Sequence, residues 1–535
     1  MKHHFFSHNR HNPLCEMLPI IIQIYNATPR VTNIINIYLL FNFTNLDIQP
    51  KLLNLCSLLT DLILSLMKNP IKLVSVIFIV VLFFGCKQKT PVHNPLGNAT
   101  REDKNGWIYV HLSGSPSDIG YQHGYLLSKE IDTLIKVMQF YLPHTSKKDW
   151  AFYRAASQRF LWKKIDPEYQ EEIKGIAAGL QARGMKYDSL DITALNANIE
   201  LSEYYVPDLM NKAKPHSGDN KAPGNCSAFI ATGSFTKDGK IVMGHNNWTD
   251  YIEGERWNVI ADITPAKGNH ILMDCAPGFI HSGDDFLVTS GGIMITETTI
   301  TGFNGFDTTR TPEFVRARKA AQYANSIDDV IKIMTTDNNG GYANDWLIGD
   351  TKTNEVAKLE LGLKDYKVWR SKDTAMIGSN FPSDPKLIKD ETNFDVNNPA
   401  SSPNARKLRM QKLVAVDYKG KLTDSAGKAI EGDTYDAYNK KQAYDRCVID
   451  GHVDNDPLGV PEWSEGPYYP MGAVQGKVTT SALAEKMEFW AHMGHPGGSD
   501  FLAAPYFAKH PEYKWQSKYL RDMKAYPWTL FAAGK

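Results

Sequence analysis

The chain has 535 residues, 42% of them hydrophobic and 22% charged, and its 59 basic and 59 acidic side chains give a formal net charge of zero. With a mean hydropathy of −0.35, this composition excludes a disordered tail, a collagen-like or coiled-coil rod and a polytopic membrane protein. It also removes the electrostatic case for nucleic acid as a partner, which needs a clustered basic surplus.

In chain order, the first informative segment is 67–86. Lys68 and Lys72 precede a run of 13 residues, 73–85, apolar but for Ser75, and Cys86 follows Gly85 directly. Such a run is too short to span a bilayer as a helix but suits the apolar part of an export signal. Gly85-Cys86 resembles a bacterial lipobox, in which the cysteine takes the lipid and becomes the mature N-terminus; Phe83 and Phe84 depart from the usual pattern. A plain signal peptide with an incidental cysteine is the alternative. Because signals work from the N-terminus, Met67 is expected to be the initiator. Residues 1–66 are then a non-native extension, 67–85 a lipoprotein signal and 86–105 a tether at a cell-envelope membrane. Polar breaks at Gln23, Asn26 and Asn33 keep the apolar runs of 1–66 from serving as spans.

From Gly106 the pattern is that of a folded protein without repeats. Apolar spacing (Ile119, Leu126, Leu127; Ile173, Ile176, Leu180) predicts helices within 117–140 and 147–184, so 106–225 reads as a mainly helical segment. A hydrophilic stretch, 211–224, reads as an exposed loop at its end. Strands are predicted at 227–232, 240–246, 257–263, 270–274 and 286–299, and helices at 312–324 and 328–334.

Lys237-Asp238-Gly239 marks a hairpin. Pairing Gly233 with Lys240 sets Cys226 opposite Asn247, and a tight turn on Asp238-Gly239 sets it up to four residues further along. Either way His245, Asn246, Asn247 and Trp248 arrive at the same end of the hairpin as the thiol. A buried structural cysteine is the commonest fate of a free thiol. One that opens a strand after an accessible loop has a second: its sulfur attacks the Asn225 carbonyl, an N-to-S shift and hydrolysis follow, and Cys226 becomes a new N-terminus. The freed α-amine, with an ordinary pKa of about 7.7–8.0, then serves the adjacent thiol as general base.

Several motifs carry a family resemblance. Gly120-Tyr121-Gln122-His123-Gly124, Glu172-Ile173-Lys174-Gly175, Cys226-Ser227-Ala228, Gly244-His245-Asn246-Asn247-Trp248, Ser282-Gly283-Asp284-Asp285-Phe286, Glu297-Thr298-Thr299, 339–346 and Gly378-Ser379-Asn380 occur in that order. Together they resemble the phospholipase B-like proteins and the related autoproteolytic (peptidase C45-type) acyltransferases, which are N-terminal-nucleophile (Ntn) hydrolases. Asn247 departs from the family threonine. The resemblance implies an α+β fold, a four-layer αββα sandwich, with residues 226–535 as the catalytic region and Cys226 opening a central strand.

It also implies roles. Cys226 is the nucleophile and Asn225–Cys226 the scission site. Asn380 falls where the family places an oxyanion-hole donor, although an Asn before Phe381-Pro382 is also a plain turn residue. His245 is expected to bond the thiol or the substrate, and Thr298 or Thr299 to bind the α-amine or a water. Trp248, Asn247 and Arg406 are expected to line the substrate site. No cofactor and no metal is expected. The substrate is a small acyl amide or a lipid ester, and the product an acyl group hydrolysed or transferred.

Other signals were set aside. Asp454, Asp456, Gly459 and Glu465 fall at EF-hand positions, but Pro457 and Leu458 interrupt them. His492, His495 and Asp500 lack the helical spacing of a zinc motif. Cys275 and Cys447 are compatible with a disulfide in an oxidising compartment. Two other classes remain open: a papain-like thiol enzyme using Cys226 and His245 in an uncut chain, and a non-catalytic lipoprotein that binds lipid or peptide.

Overall fold

The computed structural model describes residues 94–213 and 226–534. The expectations for Cys86, the signal segment, the extension before it and Asn225 lie outside them.

Two sheets form the centre, both assembled from runs of alternating or continuous apolar residues. The strands are β1 (Thr100–Lys104), β2 (Trp107–Gly114), β3 (Cys226–Thr232), β4 (Val242–Asp250), β5 (Val259–Pro265), β6 (Ile271–Cys275), β7 (Leu287–Thr289), β8 (Ile293–Thr299), β9 (Asn344–Asp350), β10 (Glu355–Leu361), β11 (Tyr366–Ser371), β12 (Thr374–Gly378), a two-stranded ribbon of β13 (Tyr435–Asp436) and β14 (Lys441–Gln442), β15 (Met471–Thr480), β16 (Glu488–Met493) and β17 (Thr529–Ala532). One sheet runs β1-β2-β5-β6-β7-β8-β9-β10-β11 and the other β12-β3-β4-β15-β16-β17. The longer helices are α1 (Pro116–Leu126), α2 (Ser128–Thr145), α3 (Pro167–Ala182), α4 (Ser189–Asn196), α5 (Val206–Ala213), α6 (Glu313–Tyr323), α7 (Ile327–Thr335), α8 (Ser402–Lys412) and α9 (Asp424–Glu431).

Strand alternation sorts the apolar residues into layers. Tyr109, Ile260, Leu272, Met294 and Leu347 of the larger sheet meet Ala228, Ile230, Met243 and Phe489 of the smaller one in a shared core. The opposite face of the larger sheet (Val110, Ala261, Ile271, Ile295, Ile348) packs under α1–α4, α6 and α7. The opposite face of the smaller sheet (Phe229, Ala231, Val242) packs under Met410 of α8 and Ile430 of α9. The fold is α+β with helices outside two facing sheets. Burying each large apolar side chain in these layers contributes about 1.5–3 kcal/mol relative to leaving it exposed.

The segment before Cys226 is mainly helical as expected, but it also supplies β2, which pairs in parallel with β5, Ile108 beside Val259, and so belongs to the larger sheet. Three expectations need correction. Part of the expected tether is β1, held by its ladder to β2 and by Arg101 on Glu130 at 2.9 Å. The run 286–299 is two strands, because Gly292 turns the chain with φ of 76°. The first three residues of the loop expected over 211–224 are helical instead, since α5 continues through Ala213.

The Gly-rich signature of α1 has a packing explanation. A Cβ on Gly120 would stand 1.9 Å from the Glu172 carbonyl oxygen, and one on Gly124 2.1 Å from that of Ile176. Gly175 and Gly179 of α3 return the contact, with Ser117 and Tyr121 carbonyls at 2.5 and 2.3 Å from a Cβ placed there. Two helices at backbone contact leave no room for a side chain between them.

Candidate active site

β3 lies inside the smaller sheet between β12 and β4, and Cys226 is its first residue. Cys226 pairs with Asn247 and Ala228 with His245, the first of the two registers expected from the hairpin. On the next strand Gln475 pairs with Asn247 and Lys477 with His245, which sets Cys226, Asn247 and Gln475 in one row and Ala228, His245 and Lys477 in the next.

The main chain of Cys226 is gripped from two sides. Its N–H donates to Asn380 Oδ1 at 3.2 Å, and its carbonyl accepts from Arg406 Nη1 at 2.6 Å. Arg406 also donates to Ser227 Oγ (2.9 Å) and to Asn380 Oδ1 (2.8 Å), so one guanidinium fixes the nucleophile and the amide beside it. Asn380 donates one Nδ2 hydrogen to the Thr299 carbonyl at 2.9 Å. It sits at φ of 70°, a left-handed conformation that Asn tolerates better than branched residues, two residues after the end of β12. Arg406 is fully buried on α8 with its guanidinium carbon 4.3 Å from the centre of the Trp248 ring, and burial brings its pKa down to about 9. Trp248 in turn donates to the Ile449 carbonyl at 3.1 Å.

The sulfur faces acids. Cys226 Sγ lies 3.8 Å from Glu297 Oε1, which also accepts from Tyr342 at 3.0 Å. Burial first, and then the Glu297 charge, push the thiol well above its ordinary pKa; burial and the Asp285 charge push Glu297 up as well. Behind them Lys477 donates to Asp274 (3.0 Å) and Asp284, and these two carboxylates outweigh burial to keep the ammonium charged.

Of the two partners expected for His245, the thiol or the substrate, the thiol is not bonded. Its ring, the sulfur and a Glu297 oxygen come within 4.8 Å of one another, but neither ring nitrogen has a hydrogen-bond partner. Asp284 is 4.0 Å from Nδ1, yet burial and the nearby Lys477 lower the histidine to about pKa 3. The pair is thus a neutral imidazole beside a carboxylate that is bonded to Lys477. Thr298 Oγ1 and Asn247 Nδ2 are also buried without partners, and Thr298 packs against Gly378, where a Cβ would come within 2.2 Å of its oxygen.

Sequence reasoning brought Cys226, His245, Asn247, Trp248, Asn380 and Arg406 to one place. It gave no role to Glu297, Tyr342, Asp284 or Lys477. A carboxylate inside the continuously buried strand β8 was the available signal. The signals set aside do not assemble: Asp456 accepts from Arg446 at 2.8 Å, Asp500 accepts from the Ala525 N–H at 2.8 Å, and Cys275 and Cys447 are buried free thiols. Among the described residues no helix is long and apolar enough to cross a membrane.

Residues 127–375 match the family model described as Phospholipase B. The match contains Cys226, His245, Asn247, Trp248 and Thr298 and ends before Asn380 and Arg406. An uncharacterised protein of Archaeoglobus fulgidus is 26% identical over 286 residues, 49% of this chain and 45% of its own. Phospholipase B-like protein C of Dictyostelium discoideum is 26% identical over 210 residues (34% and 35%), and its protein G 30% identical over 154 (27% and 25%). The chain thus spans less than half the length of each of these relatives.

Proposed function

We propose, from the premise that the chain belongs to the phospholipase B-like family, that it is an acyl hydrolase or acyltransferase activated by its own scission before Cys226. The observation that carries this reading is the grip on the Cys226 main chain: Asn380 Oδ1 accepts from the backbone nitrogen that scission would turn into an amine, while Arg406 holds the carbonyl.

In the intact chain the thiol is 1% exposed and its ionised form is disfavoured by burial and Glu297. A base must therefore be created beside it, and the α-amine of a new N-terminus is one. The amine takes the thiol proton, sulfur attacks the substrate carbonyl, and the oxygen gains the negative charge. Asn380 has a second Nδ2 hydrogen, beyond the one on Thr299, to donate to that oxygen. The ammonium returns its proton to the departing amine or alcohol, and water or a second acceptor cleaves the Cys226 thioester. A papain-like thiolate–imidazolium pair fits less well, because His245 is held neutral and makes no bond to sulfur.

Both a phospholipid ester and an N-acyl amide suit this chemistry, with the bond cut at the acyl carbon. Envelope attachment through Cys86 belongs to the same proposal and rests on the 67–86 pattern. The test is to incubate purified chain alone, sequence the fragment N-termini, and then offer phospholipids, N-acyl amino acids and N-acyl ethanolamides. The reading expects a fragment beginning at Cys226 and an acyl mass on that residue. An active chain that stays whole, or a cut chain acylated by nothing, defeats it.

A further inference from the structure

Away from Cys226, a loop and a turn bring three buried side chains together. Asp450 and His452 belong to the loop before the short helix Val453–Asn455, and His495 follows β16. Their carboxylate and ring-nitrogen atoms lie within 4.8 Å of one another. Asp450 Oδ2 is 3.4 Å from His452 Nε2, and Asp450 Oδ1 is 3.7 Å from His495 Nδ1. The two imidazoles stack with ring centres 3.9 Å apart.

The hydrogens around Tyr251 and His495 can be traced. Tyr251 has one hydroxyl hydrogen, and it goes to Asp454 Oδ1 at 2.7 Å. Its oxygen is then the acceptor for His495 Nε2 at 3.3 Å, which places the ring N–H on Nε2 and a lone pair on Nδ1. That lone pair faces Asp450 Oδ1, and neither atom has a hydrogen-bond partner although Asp450 is 0% and His495 1% exposed. Two acceptors facing each other in a dry interior repel unless a cation joins them.

We propose that Asp450, His452 and His495 form a binding site for a divalent transition ion of the Zn2+ class. Ligands bonded at about 2.0–2.2 Å in tetrahedral array stand roughly 3.3–3.6 Å apart, close to the two separations above. Two imidazoles with one carboxylate are a donor set for such ions rather than for Ca2+ or Mg2+. The outer contacts are those a metal histidine needs: Tyr251 orients His495, and the Gly497 N–H bonds Asp450 Oδ2 at 3.0 Å. A side chain on Gly497 would stand 2.2 Å from that same oxygen, so the turn is shaped around the carboxylate. The ion would tie the loop carrying Ile449 to the turn after β16, and Ile449 is the residue whose carbonyl receives Trp248 and Asn246. It is a structural clasp behind one wall of the Cys226 site, independent of what that site cleaves.

The test is metal content of the full chain. After dialysis against Zn2+ and removal of free ion, wild type and Cys226→Ala should each retain about one Zn2+ per chain, and His495→Ala and Asp450→Asn should retain less than about a tenth of that. Chelated wild type titrated with Co2+ alone should develop visible absorption, a measurement that needs no variant to fold. A wild type that binds neither ion overturns the proposal. So does an ion that survives in His495→Ala and Asp450→Asn but is lost in Cys226→Ala, which would assign it to Cys226, His245 and Glu297.

Discussion

The α1–α3 crossing and the Cys226 site both carry motifs of the family, yet they differ in what is left unsatisfied. At the crossing the motif works by subtraction: Gly120, Gly124, Gly175 and Gly179 remove side chains so that backbones touch, and the polar exceptions are two single atoms, since Glu172 keeps one oxygen on Arg318 at 3.0 Å while its other oxygen and the Tyr169 hydroxyl have no partner. At Cys226 the interior holds polar atoms without partners, among them both nitrogens of His245, Glu297 Oε2, Thr298 Oγ1 and both oxygens of Asp285. Buried polar groups are normally paired, so a concentration of exceptions marks where a molecule does chemistry rather than packing. Motif density alone does not separate the two.

Substitutions should break the comparison along that line. The largest effect belongs to Cys226→Ala, which should remove turnover by a factor on the order of 10³ or more while the thermal midpoint stays near that of wild type. Residual turnover within tenfold of wild type would sink the thioester. Asn380→Ala should lower kcat by on the order of 10²–10³, the usual effect of losing one oxyanion donor. A smaller loss with KM raised instead would make Asn380 a positioning residue only.

Gly124→Val acts in the other region and in the other currency. It should cost about 3 kcal/mol in urea unfolding, since the Ile176 carbonyl leaves a Cβ no space, with kcat of the folded fraction unchanged. The smallest effect is a pH slope. Burial, opposed by Arg318, raises Glu172 to about pKa 7, so the folded chain holds a proton there that the unfolded chain gives up near its ordinary pKa of 4.5. The stability this contributes is full below pH 4.5, falls as pH rises through 7 and is flat beyond. Glu172→Gln should flatten that interval in a series of thermal midpoints, and an unchanged slope would show that Arg318 keeps the carboxylate ionised.

How far the sequence reached follows the same division. The β3–β4 hairpin was legible because a Lys-Asp-Gly turn is a local signal; it left two registers open, and the structure takes the one that puts Asn247 opposite Cys226. Cys226, Asn380 and Arg406 were legible through the order of motifs. Lys477 and Asp284 were not, since they meet only when two sheets face each other, and no spacing along the chain encodes that. The roles shifted for a similar reason. Asn380 was expected as an oxyanion donor or a plain turn residue, but its oxygen is also turned onto the Cys226 N–H and accepts from Arg406, which arrives from α8. The parallel pairing of β2 with β5 was equally hidden, as it joins residues 151 positions apart (108 with 259) with other elements between.

That pairing has a consequence for any scission before Cys226. β2 is an interior member of the larger sheet, bonded to β1 on one side and β5 on the other, and α1 and α3 pack over it. A cut chain would consequently not shed its N-terminal piece. It would become a heterodimer born from one gene, whose halves thread a common sheet and separate only when that sheet unravels. Its refolding would then be second order: dilution, irrelevant to the intact precursor, would slow recovery of the native form.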